Sequence, residues 1–192
     1  MQITTSRSFA LAAAASLAAT PAFAHTGAGD AHGFIHGLAH PIGGMDHVLA
    51  MVAVGLFASL LGGRALWAVP LAFVGMMLVG GAFGMAGVEL PAVELGITAS
   101  IIAIGAVTAF GGSLPLAAAM ALVGFFAIFH GHAHGAEMPL GAGAFAYSAG
   151  FAFGTALLHA LGLGIGLAVR SARVVRMAGA ATAVVGAVLL VA

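Results

Sequence analysis

The chain contains no cysteine and no lysine, and only 5% of its 192 residues are charged, as five arginines and five carboxylates. Without cysteine there is no disulfide, no thiolate metal site and no cysteine nucleophile. Without lysine there is no P-loop amine to grip nucleotide phosphates and none for Schiff-base chemistry. The balanced charge offers neither a basic surface for nucleic acid nor an acidic tail for a cationic partner. The scarcity of charge excludes most: soluble domains carry about 25% charged residues. A chain that is 62% apolar, with a mean hydropathy of +1.19, has too few charges to cover a water-facing surface, so the composition is that of an integral membrane protein. Two residue types stand out against this background, nine histidines and 30 glycines.

The N-terminus has one positive charge at Arg7, an apolar run from Phe9 to Ala19, and the triplet Ala22-Phe23-Ala24. A short apolar stretch ending in A-x-A predicts a cleavable signal peptide over residues 1–24, with His25 as the new N-terminus. A histidine-containing periplasmic leader, 25–44, is expected to follow. The apolar runs beyond it, interrupted by Gly, Pro and charge, predict six spans: Met45–Leu61, Leu66–Met85, Val93–Phe110, Leu114–Phe129, Gly143–Val169 and Val174–Ala192. Strands are not expected, because the runs are continuous where a transmembrane barrel alternates in segments of about ten residues. The expected fold is an all-α bundle of six transmembrane helices occupying 45–192.

Charge placement agrees with that count. Arg64 falls in the first turn between spans, and Arg170, Arg173 and Arg176 fall in or just after the fifth. With the mature N-terminus outside, all four lie on the cytoplasmic side, as the positive-inside rule requires. Asp30, Asp46, Glu89, Glu94 and Glu137 fall toward the outer side. The glycines, Gly75, Gly80, Gly81, Gly150, Gly154, Gly162, Gly164 and Gly166 among them, are expected to let helix backbones approach closely.

Six of the histidines fall with acids in two clusters. The first cluster runs His36, His40, Pro41, Gly43, Gly44, Met45, Asp46, His47, with a bend expected before Met45 because of the proline and the glycine pair. The second is Phe129-His130-Gly131-His132-Ala133-His134-Gly135-Ala136-Glu137. If the fourth helix persists through it, His130, His134 and Glu137 share a face by their i, i+4, i+7 spacing, and His132 points away. Two imidazoles and a carboxylate at such spacing are a plausible ligand set for a divalent transition metal.

These two clusters carry a resemblance. The first fits H-x5-D-H and the second F-H-G-x-A-H-G-x-E, and both signatures resemble those of the HupE/UreJ family of membrane proteins. The resemblance implies a signal peptide, six spans and uptake of nickel, sometimes cobalt, for hydrogenase or urease maturation, with a cytoplasmic metallochaperone as a partner. It places His40, Asp46, His47, His130, His134 and Glu137 at the motif positions. His132 falls at a variable position, and His36 lies outside the signature but near it.

Other groups are secondary candidates for binding or for a pathway. Glu94 begins the third span as either an interfacial acid or a pathway carboxylate. His159 lies within the fifth span, where a hydrogen bond to Thr155 or to a backbone carbonyl is expected, or a place as a relay ligand. His25, with His32 and Asp30, offers a capture arm. Met51, Thr98, Ser100 and Thr108 are expected to pack or to bond within their own helices. No catalytic set emerges: His130 and His134 lack the Glu of H-E-x-x-H, and Ser148 and His159 stand about 16 Å apart along one helix. With no ATP motif, the expected activity is facilitated diffusion of Ni2+ through the inner membrane. Proton exchange, a static metal-binding or delivery site, and Co2+ or Cu2+ as cargo are the alternatives. Polar groups continuing inward would favour transport, and an apolar floor a static site.

Overall fold

The computed structural model describes residues 29–110, 114–139 and 141–191. The predicted signal peptide and His25 lie outside these residues. Seven α-helices account for nearly all of the described chain: α1 Gly29–Ala39, α2 Met45–Leu61, α3 Ala65–Met85, α4 Val93–Phe110, α5 Leu116–Ala136, α6 Ala144–Val169 and α7 Ala172–Val191. A single 3-10 turn, His40–Ile42, joins α1 to α2. Helices α3 to α7 are each long and apolar enough to cross a membrane. The protein is therefore a multi-pass helical membrane protein, since in lipid a helix satisfies all its backbone polar groups internally.

The first expected span is built differently. The helix Met45–Leu61 is present, but its 17 residues reach only about 26 Å at 1.5 Å per residue, short of the roughly 30 Å hydrocarbon core. It meets the criterion for a span only together with His32–Ile42, to which it is bent by 81°. The count is thus five spans, or six when the bent pair is taken as one. Residues 25–44 are expected to form a leader, but from Gly29 onward the segment is helical and packs along α6. It was hidden because Gly and His dilute its hydropathy. The break falls at Pro41 and Gly43-Gly44, as expected. A second difference is in α5, which continues past the expected end at Phe129 to Ala136. The second histidine cluster is therefore the last turns of a helix.

Glycines set how the helices meet. On α3, a Cβ at Gly80 or Gly84 would collide with the carbonyl of Ile128 or His132, and on α5 one at Gly131 or Gly135 would collide with that of Met77 or Gly81. The two backbones touch along this reciprocal seam, the membrane counterpart of apolar packing in water. The same device joins α1 to α6 at Gly37 and Gly150, and α2 to α6 at Gly55 and Gly162. Gly154 and Gly166 are also packed closely, whereas Gly75 and Gly164 have open space beside them, contrary to the packing role expected of both.

With successive helices antiparallel from α2 onward, the starts of α2, α4 and α6 and the ends of α3 and α5 gather at one end, which holds both histidine clusters. Arg64, Arg170, Arg173 and Arg176 gather at the other, beside the ends of α2 and α6.

Candidate metal centre

The α3–α5 seam fixes the rotation of α5. At 100° per residue, His130 and His134 each precede a seam glycine and turn roughly 100° to one side of it. His132, between the two glycines, turns to the other side. The pair enters the bundle interior, 0% and 4% exposed respectively, while the His132 Nε2 lies 2.7 Å from the Val88 carbonyl in the turn after α3 and donates to it. The expectation that His132 diverges from its neighbours holds, and this hydrogen bond places it outside the cluster.

The break between α1 and α2 supplies the opposite wall. His40, in the 3-10 turn, and His47, in the first turn of α2, approach His134 with ring centroids 4.4 Å and 4.2 Å from it. His47 also lies 4.7 Å from His130. Four imidazoles from two distant sequence motifs thus converge. Irregular backbone at membrane depth is tolerated where it lines a cavity, and here it lines one of about 490 Å3 whose walls include His36, His40, Asp46, His47, Glu94, His134 and Glu137. His40, His134 and Glu137 each offer a ligand atom, and these three atoms lie within 4.8 Å of one another. The His40 Nε2 is 3.2 Å from a Glu137 carboxylate oxygen.

Two partners orient the deeper rings. An ionised carboxylate only accepts hydrogen bonds, so Asp46 Oδ1 accepts from the His47 backbone N–H at 2.9 Å and from His47 Nδ1–H at 3.0 Å. This leaves the lone pair of His47 on Nε2, which is buried with no protein partner among the described residues. Ser100 does the same for His130. Its hydroxyl has one proton, donated to the Ile97 carbonyl at 2.6 Å, so at 2.8 Å it accepts from His130 Nε2–H. The lone pair of His130 is then on Nδ1, likewise buried and unpartnered. Both nitrogens of His134 are in the same condition. Buried polar atoms are nearly always hydrogen-bonded, and a histidine that ligates a metal uses one nitrogen while a carboxylate or similar group holds the other. The donor set and its supports fit that pattern.

Ser100 is expected to bond within its own helix. It does, but the contact with His130 across to α5 has no sequence signal. Tyr147, which donates to the His134 carbonyl at 3.2 Å, and Phe151, whose ring lies 4.2 Å from His134, were also missed. Thr98 and Thr108 bond within α4, and Met51 is fully buried in the apolar core, all as expected. Glu94 is exposed at the cavity mouth. The hydrogen bond expected between His159 and Thr155 is absent: Thr155 donates to the Met77 sulfur at 3.5 Å, and neither nitrogen of His159 has a partner among the described residues.

Fold and site together define a class, a multi-pass helical membrane protein with a histidine-carboxylate cavity opening at one end. The chain matches the HupE/UreJ protein family over residues 13–189 and belongs to it. It is 46% identical over 178 residues to Protein HupE of Rhizobium leguminosarum bv. viciae, an alignment covering 90% of this chain and 93% of that protein. No solved structure matches the chain.

Proposed function

We propose that the protein admits a divalent transition-metal ion, Ni2+ first, into the membrane through this cavity and carries it toward the cytoplasm. The observation that carries the reading is the convergence of His40, His134 and Glu137 donor atoms within 4.8 Å, backed by the oriented lone pairs of His47 and His130. Imidazole nitrogen and carboxylate oxygen suit nickel, cobalt or copper, and affinity order alone would favour copper; cobalt is the second choice of cargo because the family resemblance implies it. His40, His47, His130, His134 and Glu137 act as ligands, Asp46 holds His47 and supplies negative charge, and His36 and Glu94 draw the ion to the mouth. A cleaved signal peptide would deliver the cavity to the periplasmic face of the inner membrane, leaving the arginines inside. Transport is facilitated diffusion, sustained by cytoplasmic sequestration such as a metallochaperone would provide.

A static binding or delivery site is the second reading. It is favoured by the floor beneath the cavity, where Met51, Val54, Phe57 and Ile104 are closed to solvent in one apolar cluster. Nickel accumulation in cells expressing the wild type, Asp46→Asn or His134→Ala separates the two. Transport through this site predicts accumulation by the wild type that both variants lose. Accumulation unchanged in both would sink the site, and none above background with wild type would favour static binding.

A further inference from the structure

His159 belongs to no part of the outer cavity. It is 2% exposed, twelve residues beyond Tyr147 on α6 and so about 18 Å further along that helix. The ring stands edge-on to Phe73 of α3, with centroids 5.0 Å apart. Phe73 also touches His130, at 5.6 Å, so one phenyl ring lies between the lowest imidazole of the outer cluster and His159. One turn along each helix from this pair, Met77 of α3 meets Thr155 of α6 through the hydroxyl–sulfur contact already described. Phe73 and Met77 share a face of α3, as Thr155 and His159 share a face of α6, and all four are buried. An imidazole in hydrocarbon with both nitrogens unpartnered among the described residues is expensive to keep. Plain packing would be better served by leucine.

We propose, resting on the transport reading, that His159 with Met77 and Thr155 forms a second and weaker station for the divalent metal ion, midway between the outer cavity and the arginine end. One imidazole nitrogen, a thioether and a hydroxyl supply a borderline, a soft and a hard donor, all neutral, without a carboxylate. The outer cavity, by contrast, is lined by Asp46, Glu94 and Glu137. The ion is therefore held at the outer site and passes through the inner one, which meets the requirement that binding admit an ion yet release it. Beyond His159, Gly166 on the same helix lines a cavity of about 220 Å3 with Ser59 and Arg170, about 10 Å further on at 1.5 Å per residue. The guanidinium repels a cation and keeps that cavity from becoming a trap.

The test uses the full-length protein in proteoliposomes, with initial uptake of radiolabelled Ni2+ measured beside equilibrium Ni2+ binding in detergent. His159→Leu is expected to bind Ni2+ within about twofold of wild type at the outer cavity but to transport it about tenfold or more slowly. His159→Cys, which restores a ligand, is expected to recover much of the rate, and His159→Asn, which restores only hydrogen bonding, is not. Wild-type transport in either His159→Leu or His159→Asn overturns the station. Should His159→Leu also lose outer binding through misfolding, the His159→Cys and His159→Asn pair decides, and recovery by asparagine but not cysteine overturns the proposal. Wild-type protein that binds Ni2+ yet moves none instead removes the transport reading on which the station depends.

Discussion

At one end of the bundle a broken helix and two continuous ones bring imidazoles and carboxylates around a cavity of about 490 Å3, whereas at the other Arg170 flanks a cavity of about 220 Å3 with Ser59 and Ser171. The backbones differ in the same sense. At the arginine end the described turn after α2 is short, with α2 ending on Gly62 and Gly63 at φ +68° and +53°, where glycine carries no strain. The histidine end bends by 81° between α1 and α2, and that bend creates the space in which imidazoles and carboxylates converge. Guanidinium groups cannot ligate a cation, and arginines beside span ends in general bias topology instead. On the proposed function one end would bind and the other orient, so substitutions should separate the two roles cleanly.

The largest effect is expected where the fold itself holds the histidine end. Gly131→Leu would drive a side chain into the Met77 carbonyl, and backbone cannot yield as a flexible side chain does. A loss of about 3 kcal/mol, the upper part of the usual overpacking range, should appear as little or no monodisperse protein after solubilisation. Gly75→Ala, with open space beside it, should change stability by no more than about 0.5 kcal/mol. Equal yields of the two would show that the α3–α5 seam does not carry the packing.

Next comes the donor set. His134→Ala removes the ring that touches both His40 and His47, and Ni2+ affinity measured by calorimetry should fall by at least about 100-fold. Arg170→Ala at the opposite end should leave it unchanged. A comparable loss from both would mean that the ends are coupled through the fold, and the division between binding and orientation would fail.

Ser100→Ala is expected to act more gently and more tellingly. His130 would lose the partner that keeps its proton on Nε2, so Nδ1 would no longer be reliably the lone pair. Affinity should fall about tenfold, as when an orienting partner of a metal-binding histidine is removed. Ser100→Thr, which keeps the hydroxyl, should retain most of it. If Ser100→Ala binds as tightly as wild type, His130 is not a ligand through Nδ1.

How far the sequence spoke for each region follows from what each depends on. Continuous hydropathy sets the long spans, so Val93–Phe110 was legible to the residue and the ends of α3, α6 and α7 to within two. Helix α1 was not, because its Gly, His and Asp content reads as a polar leader until α6 is present to pack against it. The end of α5 was misplaced for a related reason: Gly131 and Gly135 look like helix breakers, yet each is required by the backbone of α3. Local spacing gave the shared face of His130, His134 and Glu137. It could not give the roles of Ser100, Tyr147 or Phe73, which arise only from helices meeting across the bundle, nor could it show that His159 lacks the Thr155 bond.

The smallest expected effect concerns His132, the one histidine of its cluster that turns away. Its Nε2–H bond to Val88 ties α5 to the turn after α3, so His132→Ala should cost about 1 kcal/mol, the worth of one hydrogen bond, seen as a modest fall in melting temperature. Ni2+ affinity should stay within about twofold of wild type, because the seam places His132 on the side of α5 opposite His130 and His134. The two measurements read different things, one the tether and the other the metal centre. A tenfold loss of affinity with unchanged melting would mean that His132 leaves Val88 to join the ion, and the histidine end would then be a rearranging site in place of a preformed one.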